Sequence, residues 1–107
     1  MGAAGDGELR GCQVSRTIWK FVVAGAPGCI ESVVMPMGAK LLHAHEQDGG
    51  IRVWAEVDPD APRVRRLIGV AGTGWSDTDL LTEGRPYIGT VHIGPFVWHL
   101  FDGGESE

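Results

Sequence analysis

The stretch AKLLHAHEQDGGIRVWAEVD, from Ala39 to Asp58, decides how this chain folds. Two alternating runs meet at Asp48-Gly49-Gly50. Asp-Gly between alternating segments signals a β-hairpin, because a type I′ turn needs positive φ at both central residues. A turn at Asp48-Gly49 and one at Gly49-Gly50 divide the side chains in the same way. One face carries Leu42, Ala44, Ile51, Val53, Ala55 and Val57, an apolar set that reads as core. The other carries Leu41, His43, His45, Gln47, Arg52, Trp54 and Glu56. A Trp among two His, an Arg and a Glu is unusual for a face that meets only water, so this face is the first candidate contact surface. With the turn at Asp48-Gly49, His43 faces Trp54 and His45 faces Arg52.

Outward from the hairpin, residues 17–24 (TIWKFVVA) alternate Trp19, Phe21 and Val23 against Ile18, Lys20 and Val22. Gly25 to Gly28 reads as a turn, and residues 29–35 as a second strand with Ile30, Ser32 and Val34 on one face. Pro36-Met37-Gly38 leads into the hairpin, while Pro59 and Pro62 close it. Residues 64–71 (VRRLIGVA) form a further strand, in which Gly69 marks a bulge or a close approach. The longest loop spans residues 72–86, where Asp77 to Glu83 suits one short helical turn. Tyr87–Ile93 and Phe96–Phe101 flank Gly94-Pro95. A turn there puts Val91, Ile93, Phe96, Trp98 and Leu100 on one face and Thr90, His92, Val97, His99 and Phe101 on the other.

About seven short strands, with turn signals every 8–12 residues or so and no convincing amphipathic helix, indicate an all-β fold. We expect a small antiparallel β-sandwich or barrel spanning residues 15–102, with disordered tails at 1–14 and 103–107. A chain of 107 residues fits a single domain. With 43% hydrophobic residues it can build a core without metal or disulfide.

A net charge of −5 argues against a nucleic-acid backbone binder, whose affinity rests on neutralised phosphates. Arg63, Arg65 and Arg66 cluster behind Asp58 and Asp60 and read as a solvated strand edge. Cys12 and Cys29 form no ligand pattern, so reduced thiols are expected. No apolar run approaches a membrane span of roughly 20 residues, and the N-terminus lacks a signal peptide's basic and apolar regions. The expectation is a protein of the bacterial host cytoplasm. A chain with no Asn and 17 Gly suggests a GC-rich coding sequence. In such genes GTG starts are common, so residues 1–13 are expected to be an upstream over-extension of a start at Val14.

Thr17-Ile18-Trp19-Lys20-Phe21 resembles an uncharacterised family of small all-β proteins, a domain of unknown function found in phages and prophages of high-GC bacteria. The same resemblance extends to Met35-Pro36-x-Gly38-Ala39-Lys40, Trp54-Ala55-x-Val57-Asp58, Gly72-Thr73-Gly74, Tyr87-Ile88-Gly89-Thr90 and Phe96-Val97-Trp98-His99-Leu100-Phe101. It covers residues 16–102 and implies a mobile-element context. It brings no catalytic residues, and the histidine pair at 43 and 45 is not part of it.

The chemistry-bearing patterns are modest. His43 and His45 project from one strand face, as two metal ligands would, but only Glu56 offers a third on that face. Gly69-Val70-Ala71-Gly72-Thr73-Gly74 lacks the Lys-Ser/Thr of a phosphate loop, although the Gly72–Gly74 amides suit an anion nest. Asp77, Asp79 and Glu83 lack an EF-hand's spacing. His92 and His99 read as half-buried or interface residues. No Ser-His-Asp or Cys-His spacing stands out. The expectation is therefore a non-catalytic binding or accessory module without cofactor, contacting a protein or a small ligand. Its binding residues are His43, Arg52 and Trp54, with Gly72, Thr73, Gly74 and Trp75 as a neighbouring loop. A virion component that self-associates through its sheets and a small metal-dependent hydrolase are the alternatives.

Overall fold

A computed structural model describes residues 15–23, 30–76 and 78–106. The expected tail at 1–14, the Gly25–Gly28 turn and both cysteines lie outside these residues. The described residues form seven strands and one short helix: β1 (Thr17–Val23), β2 (Ile30–Pro36), β3 (Lys40–Gln47), β4 (Gly50–Val57), β5 (Arg63–Gly72), α1 (Asp79–Thr82), β6 (Tyr87–Ile93) and β7 (Phe96–Ser106). They build two antiparallel sheets, ordered β1-β4-β3 and β2-β5-β7-β6, packed as a small β-sandwich. Among the described residues no helix is long and apolar enough to cross a membrane.

The β3–β4 hairpin turns at Asp48-Gly49, with φ of 56° and 79°, and pairs Gln47 with Gly50. Both central residues take positive φ, as a type I′ turn demands. The Glu46 carboxylate accepts from the Gly49 N–H at 2.7 Å and fixes the loop. His43 then faces Trp54 and His45 faces Arg52. Strict alternation fails farther from the turn. A register shift between Leu41 and His43 puts Leu41 opposite Ala55 and against the core, and leaves Leu42 42% exposed. The expected faces of these two leucines are exchanged, because a bulge inserts one residue and flips everything beyond it.

The core fills the gap between the sheets in two linked clusters. Val23, Ala44, Ile51, Val53, Ile68, Val70, Val91, Trp98 and Leu100 form one, and Met35, Ala39, Ala55 and Val57 the other. Val53, Ala55, Val57, Ile68 and Leu100 are fully excluded from solvent. Burying an aliphatic side chain of Val, Leu or Ile size contributes about 1.5–3 kcal/mol, and these positions carry most of that gain. β3 lies along β6, where a Cβ on Gly89 would sit 3.3 Å from Ala44 Cβ. Phe96, the first residue of β7, is exposed and stacks on Trp98 with centroids 5.5 Å apart.

Two further expectations change. The arginine cluster is not on a sheet edge, since β5 lies between β2 and β7. Arg66 points into the sandwich, where its guanidinium meets Asp102 and donates to the Ala39 carbonyl at 2.8 Å. Arg63 lies over the Trp19 ring at 5.5 Å. Residues 103–106 are also not a frayed tail: β7 continues to Ser106, paired with Arg65. Gly103 and Gly104 form the bulge opposite Leu67, where a Cβ on Gly103 would sit 2.9 Å from Leu67 Cβ, and Gly104 takes φ 82°. Glu105 then accepts from the Gly38 N–H at 2.5 Å, tying the β2–β3 connection to the last strand.

Candidate functional site

Alternation along β5, β6 and β7 sends Val70, Val91, Trp98 and Leu100 into the core, so their neighbours stand on the outer face of the four-stranded sheet. Register aligns these neighbours in rows across three strands. Ala71, His99 and Thr90 form one row; Gly69, Phe101 and Tyr87 form the next. Tyr87 meets Phe101 edge to face with centroids 5.6 Å apart.

The segment between β5 and β6 folds back over these rows. Leu81 of α1 is buried and packs onto Gly69, where any Cβ would drive into the Leu81 carbonyl oxygen. The close approach expected at Gly69 is therefore the seat of the helix. Gly74, at φ 85°, turns the chain after β5, and the Trp75 N–H donates to the Gly72 carbonyl at 3.2 Å. The Trp75 indole lies across Gly72, where a Cβ would sit 2.6 Å from its Cε2, and meets Trp98 edge to face at 5.4 Å.

Between this segment and the sheet runs an open groove of about 310 Å³, with Ala71, His99 and Phe101 as floor and Thr73, Trp75, Thr78 and Thr82 as walls. A second groove of about 240 Å³, bounded by Pro95, Phe96 and Trp98, shares Gly72, Thr73 and Trp75 with the first. The indole of Trp75, 42% exposed, is a wall of both.

His99 is held from both sides. Its Nε2 lies 2.6 Å from Thr73 Oγ1 and its Nδ1 3.0 Å from Thr90 Oγ1, which in turn bonds the Tyr87 hydroxyl. In either neutral tautomer one ring nitrogen donates and the other accepts, and the threonine hydroxyls rotate to suit. The chain Tyr87–Thr90–His99–Thr73 thus fixes the imidazole at the groove floor. Among the described lining residues none is Asp, Glu, Lys or Arg.

The residues expected to bind do not form one surface. Gly72, Thr73, Gly74 and Trp75 line the groove on the four-stranded sheet. His43, Arg52 and Trp54 stand on the outer face of the other sheet, where Lys20, Trp54 and His43 form one row and Val22, Arg52 and His45 the next. There His43 and His45 stack with centroids 5.8 Å apart, and His43 meets Trp54 at 6.3 Å. The 72–75 loop is thus not a neighbour of His43, Arg52 and Trp54, because the two groups belong to different sheets. The Asp48-Gly49 turn keeps Glu56 from facing His43, and the bulge between Leu41 and His43 pairs it with Lys40. Among the described residues no three of His, Cys, Asp and Glu group as metal ligands would. His99, Thr90, Thr78 and Thr82 were not among the expected binding residues. Alternation did place Thr90, His99 and Phe101 on one face, but nothing in the sequence says that the 73–86 segment folds onto that face.

No curated protein and no solved structure matches this chain. A family model described as a domain of unknown function, DUF7352, matches residues 14–107. This all-β sandwich belongs to the DUF7352 family.

Proposed function

We propose that the chain is a non-catalytic binding module that takes a small ligand in the groove beneath Thr73–Trp75. The observation that carries this reading is the Tyr87–Thr90–His99–Thr73 chain, which holds a half-buried imidazole at the floor and the Thr73 hydroxyl at the wall of a concave site in fixed positions. Ligand sites are concave, mostly preformed and supplied with a few oriented polar groups, and this groove has each property. Catalysis is the weaker reading. Both ring nitrogens of His99 face threonine hydroxyls, and among the described residues no carboxylate orients the ring as in a nucleophile–base–acid triad. The module would work in the phage or prophage setting that the family resemblance implies, within the host cytoplasm.

A second reading has its own observation. The outer face of β1-β4-β3 exposes Ile18 and Val22 beside Trp54, Arg52 and His43, which suits association through that sheet, as in a virion component. Amide shift mapping on isotope-labelled protein separates the two readings. The probe is a fragment panel of neutral polyols, carboxylates, amines and benzene derivatives. Groove binding predicts shifts gathered at Ala71–Trp75, Thr78, Thr82 and His99. A silent groove, with concentration-dependent shifts along β1, β3 and β4 instead, would overturn it in favour of self-association.

A further inference from the structure

We infer that the groove takes a neutral carbohydrate, with one sugar ring stacked on the Trp75 indole and its hydroxyls bonded to Thr73, Thr78 and Thr82 over the anchored His99 ring. This inference rests on the groove being the binding site.

The lining narrows the ligand by chemistry. The described groups that line the groove include threonine hydroxyls, an imidazole and an indole, with no Lys, Arg, Asp or Glu among them. The described contacts a ligand meets are therefore uncharged hydroxyls and an aromatic face. A wholly apolar ligand fits no better, because it would cover hydroxyls it cannot bond. Thr78 and Thr82 line the groove, and among the described residues neither hydroxyl has a side-chain hydrogen-bond partner. A threonine hydroxyl donates one hydrogen bond and accepts others, as does each hydroxyl of a sugar. Three threonines in one groove, one of them anchored by His99, therefore match a polyhydroxylated ring better than a ligand with a single polar end.

Trp75 supplies the remaining half of such a site. A sugar ring has a face of C–H groups with partial positive charge, and the face of an indole is the negative side of its quadrupole. The indole is held in place before any ligand arrives. It lies across Gly72, where a Cβ would collide at 2.6 Å, and meets Trp98 edge to face at 74°. A rigid aromatic wall loses little entropy on binding. Because the same indole also borders the groove along Phe96 and Pro95, a disaccharide has a place on each side of the ring. The first groove, at about 310 Å³, sits at the lower end of small-molecule sites, which run about 300–1,000 Å³, and the second, at about 240 Å³, extends it.

The test titrates labelled protein with glucose, galactose, N-acetylglucosamine and β-linked disaccharides. Amide shifts and Trp fluorescence are read alongside sodium acetate, ethylamine and benzene controls. The expected result is millimolar binding of at least one sugar, with shifts at Thr73, Trp75, Thr82 and His99. Affinity should fall at least tenfold in Trp75→Ala and Thr82→Val and be largely retained in Trp75→Phe. If Trp75→Ala unfolds, Trp75→Phe and Thr82→Val with the wild-type shift map decide. Shifts at the groove from acetate, ethylamine or benzene but from no sugar would overturn the carbohydrate inference and leave the groove as the binding site. A groove silent to every probe would overturn both. Sugar binding unchanged in folded Trp75→Ala would overturn the stacking on Trp75.

Discussion

The Arg66 guanidinium grips the Asp102 carboxylate with two hydrogen bonds, Nε to Oδ1 at 2.9 Å and Nη2 to Oδ2 at 2.7 Å. Their side chains are only 12% and 18% exposed, so the pair sits between the sheets rather than on the surface. Nη1 also bonds the Ala39 carbonyl and lies 3.6 Å from Glu105. One arginine thus joins β5, β7 and the β2–β3 connection. Removing one partner of a buried pair leaves the other charge uncompensated, which costs about 3 kcal/mol or more. Asp102→Asn should therefore lower the urea midpoint with an unchanged m-value. The double change Arg66→Met with Asp102→Leu should recover a large part of the loss. If Asp102→Asn melts like the parent, the pair contributes nothing.

The same pair sets an acid limit. Burial acts to raise the Asp102 carboxyl, but the Arg66 hydrogen bonds, the Gly104 N–H and the Arg66 charge outweigh it and hold it below the usual range. The hydrogen bond to Asp102 likewise raises Arg66, which stays charged at every working pH. A carboxyl with a lower value in the folded than in the unfolded state binds fewer protons when folded. Its contribution is complete above the ordinary carboxylate value of about 4 and is lost as pH falls through the depressed folded value. Urea midpoints measured from pH 7 down to pH 2 should fall on that limb, and more shallowly in Asp102→Asn. Parallel curves for the two proteins would assign the acid limit to other carboxylates.

How much of this was legible in the chain follows from the range of each signal. Asp48-Gly49-Gly50 is read locally and located the hairpin with two registers open, of which the structure takes the one that pairs His43 with Trp54. The Leu41/Leu42 exchange was not legible, because a bulge is chosen by how the strand docks on its partners rather than by alternation. Gly103-Gly104 looked like a tail for a similar reason. Glycines that serve a bulge and glycines that end a domain read alike until Leu67 is known to lie opposite. The groove depends on an event at still longer range, the folding of Thr73–Thr82 over β5 and β7. Only Gly69 hinted at it, as a strand residue with no side chain where something else needed the space.

That space gives a direct prediction. Gly69→Ala places a methyl group against the Leu81 carbonyl, which belongs to backbone and cannot rotate aside. The helix must lift, at a cost of about 1–3 kcal/mol. Amide shifts should concentrate at Leu81, Thr82 and the groove floor, while the β3–β4 hairpin stays unchanged. A Gly69→Ala protein with parental stability and an undisturbed Thr82 amide would mean that α1 does not pack on this glycine.

Val53 and Trp54 are chain neighbours on β4 with opposite surroundings, and together they test the assignment of faces. Val53 is fully buried in the main core cluster, opposite Phe21 and Ala44. Trp54 stands on the outer face, half-buried between Lys20 and His43. Val53→Asp buries an unpaired charge and should cost about 4 kcal/mol or more, enough to unfold a marginal domain. Trp54→Thr places a β-branched residue that suits a strand and loses only cross-strand contacts, each about 0.2–1 kcal/mol. Adding Arg52→Thr should leave the fold nearly intact for the same reason. Sedimentation of that double variant then reports on the face itself: a smaller assembly than the parent forms assigns self-association to β1-β4-β3, and an unchanged one frees that sheet of the role. If instead Trp54→Thr destabilises as much as Val53→Asp, the outer face is a second packed layer, and the groove would be the contact surface that remains.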